Sequence, residues 1–311
     1  MFDRFKRKSK TQDYPTKDEL RQLEDKINNH HDYLNNIFVF HELEMSPYLK
    51  LMRTISYELL KFFDSVCAKH DIEYWLDFGT LLGAARHGGL IPWDDDLDVG
   101  MLREDYYRFL EIFPEELEKC DLKYVVATFK KADWDRDSPR WYQINCKHPE
   151  YTGKFVGIDV FPYDYITDFD DGYIDRFHDR IRPDFCNARL EGIGLKEAID
   201  STCGPLNLSL KKQDHFIGGV DGGRFKYTSI FKILKTSDLH PFGKIRFGDY
   251  EFSAPNNVNN YLVEIYGNDY MRVGRTIKAH GRLNRYLKYK NIMETLGEAK
   301  DELINLNENS R

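Results

Sequence analysis

The sequence predicts an α+β fold, with short strands set among amphipathic helices. Three observations carry that expectation. Leu51, Ile55, Leu59, Phe62, Phe63 and Val66 recur at helical spacing between Pro47 and His70. Phe155-Val156-Gly157-Ile158-Asp159-Val160-Phe161-Pro162 is an apolar, strand-like run with one carboxylate in its middle. Between them, Tyr74 to Met101 reads YWLDFGTLLGAARHGGLIPWDDDLDVGM, a short strand, a small-residue helix, a Gly-Gly break and then the acidic cluster Asp94, Asp95, Asp96 and Asp98. Carboxylates packed this closely repel one another, and burying them unpaired is expensive. A cation that neutralises them is the economical explanation, and the stretch reads as a divalent-metal site for phosphoryl transfer.

Composition sets bounds on the function. The chain has 311 residues, among them 20 Tyr and 21 Phe, enough for a sizeable core. Its formal charge of −7 offers no global basic field for nucleic acid. No apolar run reaches the roughly 20 residues that cross a bilayer. The basic start MFDRFKRKSK is not followed by a signal-peptide apolar region, so a cytoplasmic protein is expected. That start reads as a solvated tail, the rival being contact with an anionic membrane surface. Cys67, Cys120, Cys146, Cys186 and Cys203 form no C-x-x-C pair, against both a zinc knuckle and a secreted disulfide framework.

Taken in order, residues 1–45 read as a tail followed by a helix from Lys17. There Leu20, Leu23, Ile27, Leu34 and Ile37 fall on heptad positions, a short coiled coil through which the chain would form oligomers, or an amphipathic helix of its own domain. Residues 46–165 read as the catalytic core. Its second helix runs from Pro47 to His70, and Ile72–Leu76 is a strand. Thr80 reads as the N-cap of a helix that ends before Gly88-Gly89. A helix follows from Arg103 to Phe113, then strands over Leu122–Phe129 and Trp141–Cys146, with Trp134 in the loop between them. Residues 166–295 read as an accessory region: a charged helix over Ile166–Ile181, irregular Gly-rich chain over 184–225, a hairpin turning at Phe247-Gly248-Asp249-Tyr250, and a helix over Asn256–Ile265. Arg272, Arg275, Lys278, His280, Arg282, Arg285, Lys288 and Lys290 make the densest basic run, facing a polyanion or solvent. Residues 296–311 read as a polar tail.

Within the core, strand alternation over Asp96-Leu97-Asp98-Val99 puts Asp96 and Asp98 on one face. Two carboxylates so placed can share Mg2+, which prefers oxygen ligands. Asp94 has the same parity but sits in a turn after Pro92-Trp93, and Asp95 points away if the strand reaches it. Asp159 points opposite Ile158 and Val160, and it needs either the same metal or a core-facing Arg or Lys.

The stretch LDFGTLLGAARHGGLIPWDDDLDV closely resembles the signature of the LicD family, which includes the fukutin-related phosphotransferases. The resemblance continues in GIDVFPYD at Gly157–Asp164 and in FGDYEFSAPNNVNNYLVEIYGNDYM, and it covers about residues 50–290. Val273-Gly274 departs from the Pro-Pro pair that relatives often carry. The resemblance implies a nucleotidyltransferase-like mixed β-sheet flanked by helices. It also implies that Gly79 and Thr80 open a helix at the phosphates and that Asp96, Asp98 and Asp159 bind Mg2+, or Mn2+ in its place. It implies further a CDP-activated alcohol as donor, most often CDP-choline, and a glycan or lipid-linked glycan as acceptor, met at the inner face of the membrane.

On that reading Asp96 and Asp98 hold the metal at the donor diphosphate, with Asp94 in reserve. Gly79, Thr80, Arg86 and His87 hold phosphate oxygens, and Asp159 orients or deprotonates the acceptor hydroxyl. Transfer of ribitol or glycerol phosphate by the same kind of enzyme, nucleotidyl transfer with release of pyrophosphate, and a non-catalytic glycan-binding role are the rival readings.

Overall fold

The computed structural model describes residues 16–37, 46–131, 139–147, 154–222, 232–273 and 291–309. The basic start, Trp134 and the basic run from Arg275 to Lys290 lie outside the described residues. The chain divides into two units, 1–44 with 272–277, and 45–271 with 278–311. In the first, helix α1 (Lys17–Ile37) starts at a reciprocal cap. The Glu19 carboxylate accepts the Thr16 N–H at 2.7 Å, and the Thr16 hydroxyl accepts the Glu19 N–H at 3.2 Å. Leu20, Leu23 and Ile27 of its apolar stripe are exposed.

The second unit is a mixed sheet with helices packed on it. Helix α2 (Pro47–Lys69) begins where Ser46 caps the Leu49 N–H, with Pro47 in the first turn. There follow β1 (Trp75–Leu76), α3 (Phe78–His87), β2 (Leu97–Leu102), α4 (Arg103–Glu118), β3 (Val125–Lys131), β4 (Pro139–Lys147) and β5 (Lys154–Ile166). Then come α5 (Tyr173–Arg176), a π-helical turn over Phe177–Ile181, α6 (Arg182–Leu190) and α7 (Leu195–Thr202). Short strands β6 (Leu208–Ser209), β7 (His215–Gly218) and β8 (Leu234–Lys235) precede α8 (Thr236–Leu239). The hairpin β9 (Gly243–Phe247) and β10 (Tyr250–Ala254), α9 (Val258–Tyr266) and α10 (Ile292–Asn309) close the order.

The sheet order is β1-β2-β5-β4-β3, with β2 and β5 parallel and the other neighbours antiparallel. This is the mixed sheet flanked by helices that the sequence predicts. The core cluster joins the α2 stripe (Ile55, Leu59, Phe63) to Val99, Met101, Phe109, Ile144, Ile158 and Val160. A second cluster lies under α6 and α7, around Tyr173, Phe177, Phe185 and Leu206.

Four expectations need correction. The first strand is only Trp75–Leu76, because the chain turns into α3 immediately after Asp77. Strand β5 runs on to Ile166, since β6 and β7 pair with its far end, and the helix expected over Ile166–Ile181 starts at Tyr173 instead. The stretch 184–225 carries α6, α7 and three-residue or shorter elements before β7, and even the two helices span little more than two turns each, too short for a clear apolar stripe. Of the tail expected over 296–311, the described residues 296–309 are no tail. They belong to α10, whose Ile292, Leu296, Ala299 and Leu303 are buried and whose Asn307 donates to the Glu58 carboxylate at 2.8 Å on α2.

Candidate active site

Four segments of the second unit meet at the head of α3. Asp77 ends β1 and caps the helix, its Oδ1 accepting the Phe78 N–H at 2.8 Å. The cap is therefore Asp77 and not Thr80, which sits inside the first turn. Phe78 takes φ of 36°, a left-handed conformation that an L side chain adopts only where packing holds it. Here its ring meets Phe161 of β5 edge-on at 5.0 Å.

The turn from Asp77 to Thr80 grips Asp98 on β2. The Asp77 N–H donates to the Asp98 carbonyl at 3.0 Å. The Thr80 hydroxyl accepts the Asp98 N–H at 2.7 Å, and the Gly79 N–H donates to Asp98 Oδ2 at 3.3 Å. Through its hydroxyl Thr80 thus positions a carboxylate-bearing strand. A Cβ at Gly79 would stand 2.8 Å from Asp94 Oδ2 and 3.6 Å from Asp98 Oδ2, so the Asp94 carboxylate would have to shift to admit one.

Parallel pairing sets Asp98 directly opposite Asp159 of β5. From the other side of β5, Gln143 of β4 lies opposite Asp159 and donates Nε2 to its Oδ1. Asp94, Asp95 and Asp96 precede β2 in a turn, where Asp94 donates its N–H to the Ile91 carbonyl at 3.0 Å. Each of the three offers a carboxylate oxygen within 4.8 Å of the others. Asp96 thus reaches the site from the turn and not from a strand. Asp95, expected to point away, joins the group because strand alternation does not apply in a turn.

The electrostatics follow from this crowding. Burial pushes the Asp98 carboxyl well above its ordinary range, and the charges of Asp96, Asp159, Asp94 and Asp77 push it further. Asp77 is completely buried and raised to about 6 by burial. The Tyr163 hydroxyl at 2.5 Å on Oδ2 and the Tyr261 hydroxyl at 2.9 Å on Oδ1 oppose that shift. Trp75 Nε1 in turn donates to the Tyr261 oxygen at 2.9 Å. Tyr266, at the end of α9, has its hydroxyl held protonated by burial and by Asp98, Asp77 and Asp94, although part of its ring reaches solvent.

Arg86 and His87 lie at the opposite end of α3 from Gly79, about 10 Å away at helical rise. Arg86 Nη1 donates to the Tyr270 carbonyl at 3.0 Å, tying α3 to the chain after α9. Burial, then Arg86 and Arg53, lowers His87 to about 4, so its imidazole is neutral at pH 7. A separate groove of about 770 Å³, lined in part by Lys212, His215, Lys235 and His240, shares no residue with this site.

Sequence reasoning passes over Asp77, Gln143, Tyr163, Tyr261 and Tyr266. Only Asp77 carries a local signal, an Asp at the head of a small-residue helix.

Residues 71–185, which contain the acidic turn, β2 and β5, match the family described as LicD/FKTN/FKRP, nucleotidyltransferase domain. Over this segment, about a third of the chain, the protein is similar to the LicD family. An uncharacterised protein of Rickettsia typhi is 49% identical to the chain over 59 residues, 19% of each. The lipopolysaccharide cholinephosphotransferase LicD of Haemophilus influenzae is 43% identical over 68 residues, 22% of this chain and 26% of that protein. The ribitol 5-phosphate transferase FKRP of Homo sapiens is 62% identical over 34 residues, 11% of this chain and 7% of that protein. The matched stretches thus span about a quarter or less of these relatives. The LicD segment here supplies every carboxylate of the site, whereas Tyr261 and Tyr266 come from beyond it.

Proposed function

We propose that the chain is a Mg2+-dependent phosphotransferase. It would move a phospho-alcohol, phosphocholine first, from a CDP-activated donor to a hydroxyl of a cell-surface glycan of teichoic acid, lipopolysaccharide or capsule type. The grouping of the Asp94, Asp95 and Asp96 carboxylates within 4.8 Å of one another, beside Asp98 and its strand partner Asp159, carries this reading. Burial first, and then the charges of Asp96, Asp159 and Asp94, raise the Asp98 carboxyl, and a crowded all-oxygen donor set suits a hard divalent cation. The cholinephosphotransferase named among the relatives supports phosphocholine. The ribitol phosphate transferase supports a second reading, a polyol phosphate carried by the same machinery.

Asp96, Asp98 and Asp159, with Asp94, would hold Mg2+, or Mn2+ in its place. The bound ion supplies Lewis-acid neutralisation of the diphosphate and the departing CMP. The other steps fall to the chain itself. The Asp77–Thr80 turn fixes Asp98, and Gly79 leaves room for phosphate oxygens beside it. Arg86, near Tyr266, contributes positive charge at the far end of α3, and neutral His87 contributes hydrogen bonding. Asp159 takes the proton of the acceptor hydroxyl, its carboxylate turned into place by Gln143. Positioning and electrostatics dominate such transfers, so no covalent intermediate is needed.

No helix among the described residues is long and apolar enough to cross a membrane. The proposed setting is the cytoplasmic side, at the inner membrane face, where a nucleotide donor meets a lipid-linked glycan. The deciding experiment incubates the full chain with Mg2+, candidate glycans, and CDP-choline, CDP-ribitol or CDP-glycerol, and follows CMP. Glycan-dependent CMP release with one donor is expected. Pyrophosphate released from a nucleoside triphosphate, with no CMP, points to nucleotidyl transfer instead. Failure to bind Mg2+ or any nucleotide by calorimetry points to a non-catalytic glycan-binding role.

A further inference from the structure

Strand β4 presents a row of polar side chains to the carboxylate face of the sheet. Gln143 meets Asp159 there, so its neighbours of the same parity, Trp141 and Asn145, share that face. The Trp141 ring confirms this, lying 5.1 Å from Phe161, the residue two beyond Asp159. The intervening Tyr142 turns the other way, against Phe109 and Phe129, and Ile144 and Cys146 are fully buried in the core. Trp141, Gln143 and Asn145 therefore form a strip with about 7 Å between successive residues.

Two groups on this strip stand unfilled. Trp141 is 7% exposed and Asn145 2% exposed, yet Trp141 Nε1 and Asn145 Oδ1 make no hydrogen bond among the described residues. Buried polar groups in native proteins are nearly always paired, so an orphan beside a reactive cluster asks for a ligand atom. Their chemistry restricts what can fill them. An indole N–H only donates, so it needs an oxygen such as that of a phosphate. An amide carbonyl only accepts, so it needs a hydroxyl or amino group. A phosphoester of ribose or of a polyol offers both, whereas a trimethylammonium headgroup offers no donor.

We propose that Trp141 and Asn145 bind the activated donor on either side of the Gln143–Asp159 pair. The indole N–H takes a phosphate oxygen and the Asn145 carbonyl takes a sugar or polyol hydroxyl. This rests on the phosphotransferase reading and assigns it two binding residues.

The test is calorimetry with Mg2+ present, titrating CMP, CDP-choline and CDP-ribitol into the wild-type chain and into Trp141→Phe, Asn145→Ala and Asn145→Ser. Melting temperatures of the ligand-free proteins check the fold, and they should stay level or rise, since an unpaired buried group is removed. Each variant is expected to weaken CDP-ribitol at least tenfold. If Asn145→Ala weakens CMP and CDP-choline equally, its hydroxyl partner is the ribose; if it weakens CDP-ribitol alone, the partner is the carried polyol. Affinities within twofold of wild type for all three ligands, in folded variants, overturn the proposal and leave ordered water as the partner. Wild-type protein that binds none of the three would instead defeat the phosphotransferase reading, and this inference with it.

Discussion

Asp98, the proposed metal ligand on β2, sits where its charge is costly to the fold. Hydrogen bonds from the Asp77 and Gly79 N–H groups, and from its own N–H to the Thr80 hydroxyl, hold it where Asp94, Asp96 and Asp159 repel it. Asp98→Asn keeps the side-chain shape and removes one of the competing charges. Turnover is expected to fall at least about a hundredfold, while the metal-free variant melts at or above the wild-type temperature. Scanning calorimetry in EDTA beside a CMP-release assay checks both halves, and undiminished turnover by a folded variant would sink the assignment. Glu116 gives the opposite case, a carboxylate that stabilises. Lys119 and Lys69 hold it down to about 2, below its ordinary 4.5. Because the folded pKa is depressed, the stabilisation is complete above about 4.5 and is lost as pH falls toward 2. Both lysines are well exposed, so screening limits the contribution to about 1 kcal/mol. Glu116→Gln should lower stability at pH 7 and flatten the acid limb of the denaturation profile; an unchanged limb would show that the pairs contribute nothing.

Among the elements, α10 and β2 carry the clearest consequences. Helix α10 lies against α2, with Leu303 wholly buried, so Leu303→Ala should cost about 2–5 kcal/mol in urea denaturation. A cost under about 0.5 kcal/mol would mean that α10 is peripheral to the core. Strand β2 depends on Gly100, where a Cβ would come within 2.4 Å of the Trp75 ring. That close approach lets Trp75 reach Tyr261 and so fixes the cap at Asp77. The sequence displays the helical stripe of α2 and the alternation of β5 openly, because each buries one face over many residues. It hides α10, whose apolar residues keep helical spacing within a largely polar composition, and it hides the short elements around β6 and β7.

At the scale of the whole unit, one parallel strand pair sets Asp98 opposite Asp159 beside the acidic turn, and on the proposed reading a bound cation relieves the repulsion of the cluster. Millimolar Mg2+ should therefore raise the melting temperature of the wild-type chain and leave Asp98→Asn nearly unmoved. Equal shifts in both proteins would place the binding elsewhere.

By itself the sequence determined the α+β class, the acidic stretch from Asp94 to Asp98 and the singular Asp159, since residue type, spacing and alternation are local properties. Only the tertiary structure decided that Asp77 caps α3, that Asp95 joins the turn, that Thr80 serves Asp98, and that Gln143, Tyr163 and Tyr261 complete the surroundings. Those roles rest on partners far apart in the chain, such as Tyr261 on Asp77, and on a chain reversal where strand periodicity no longer holds. No local pattern encodes a contact that only strand register and helix packing create.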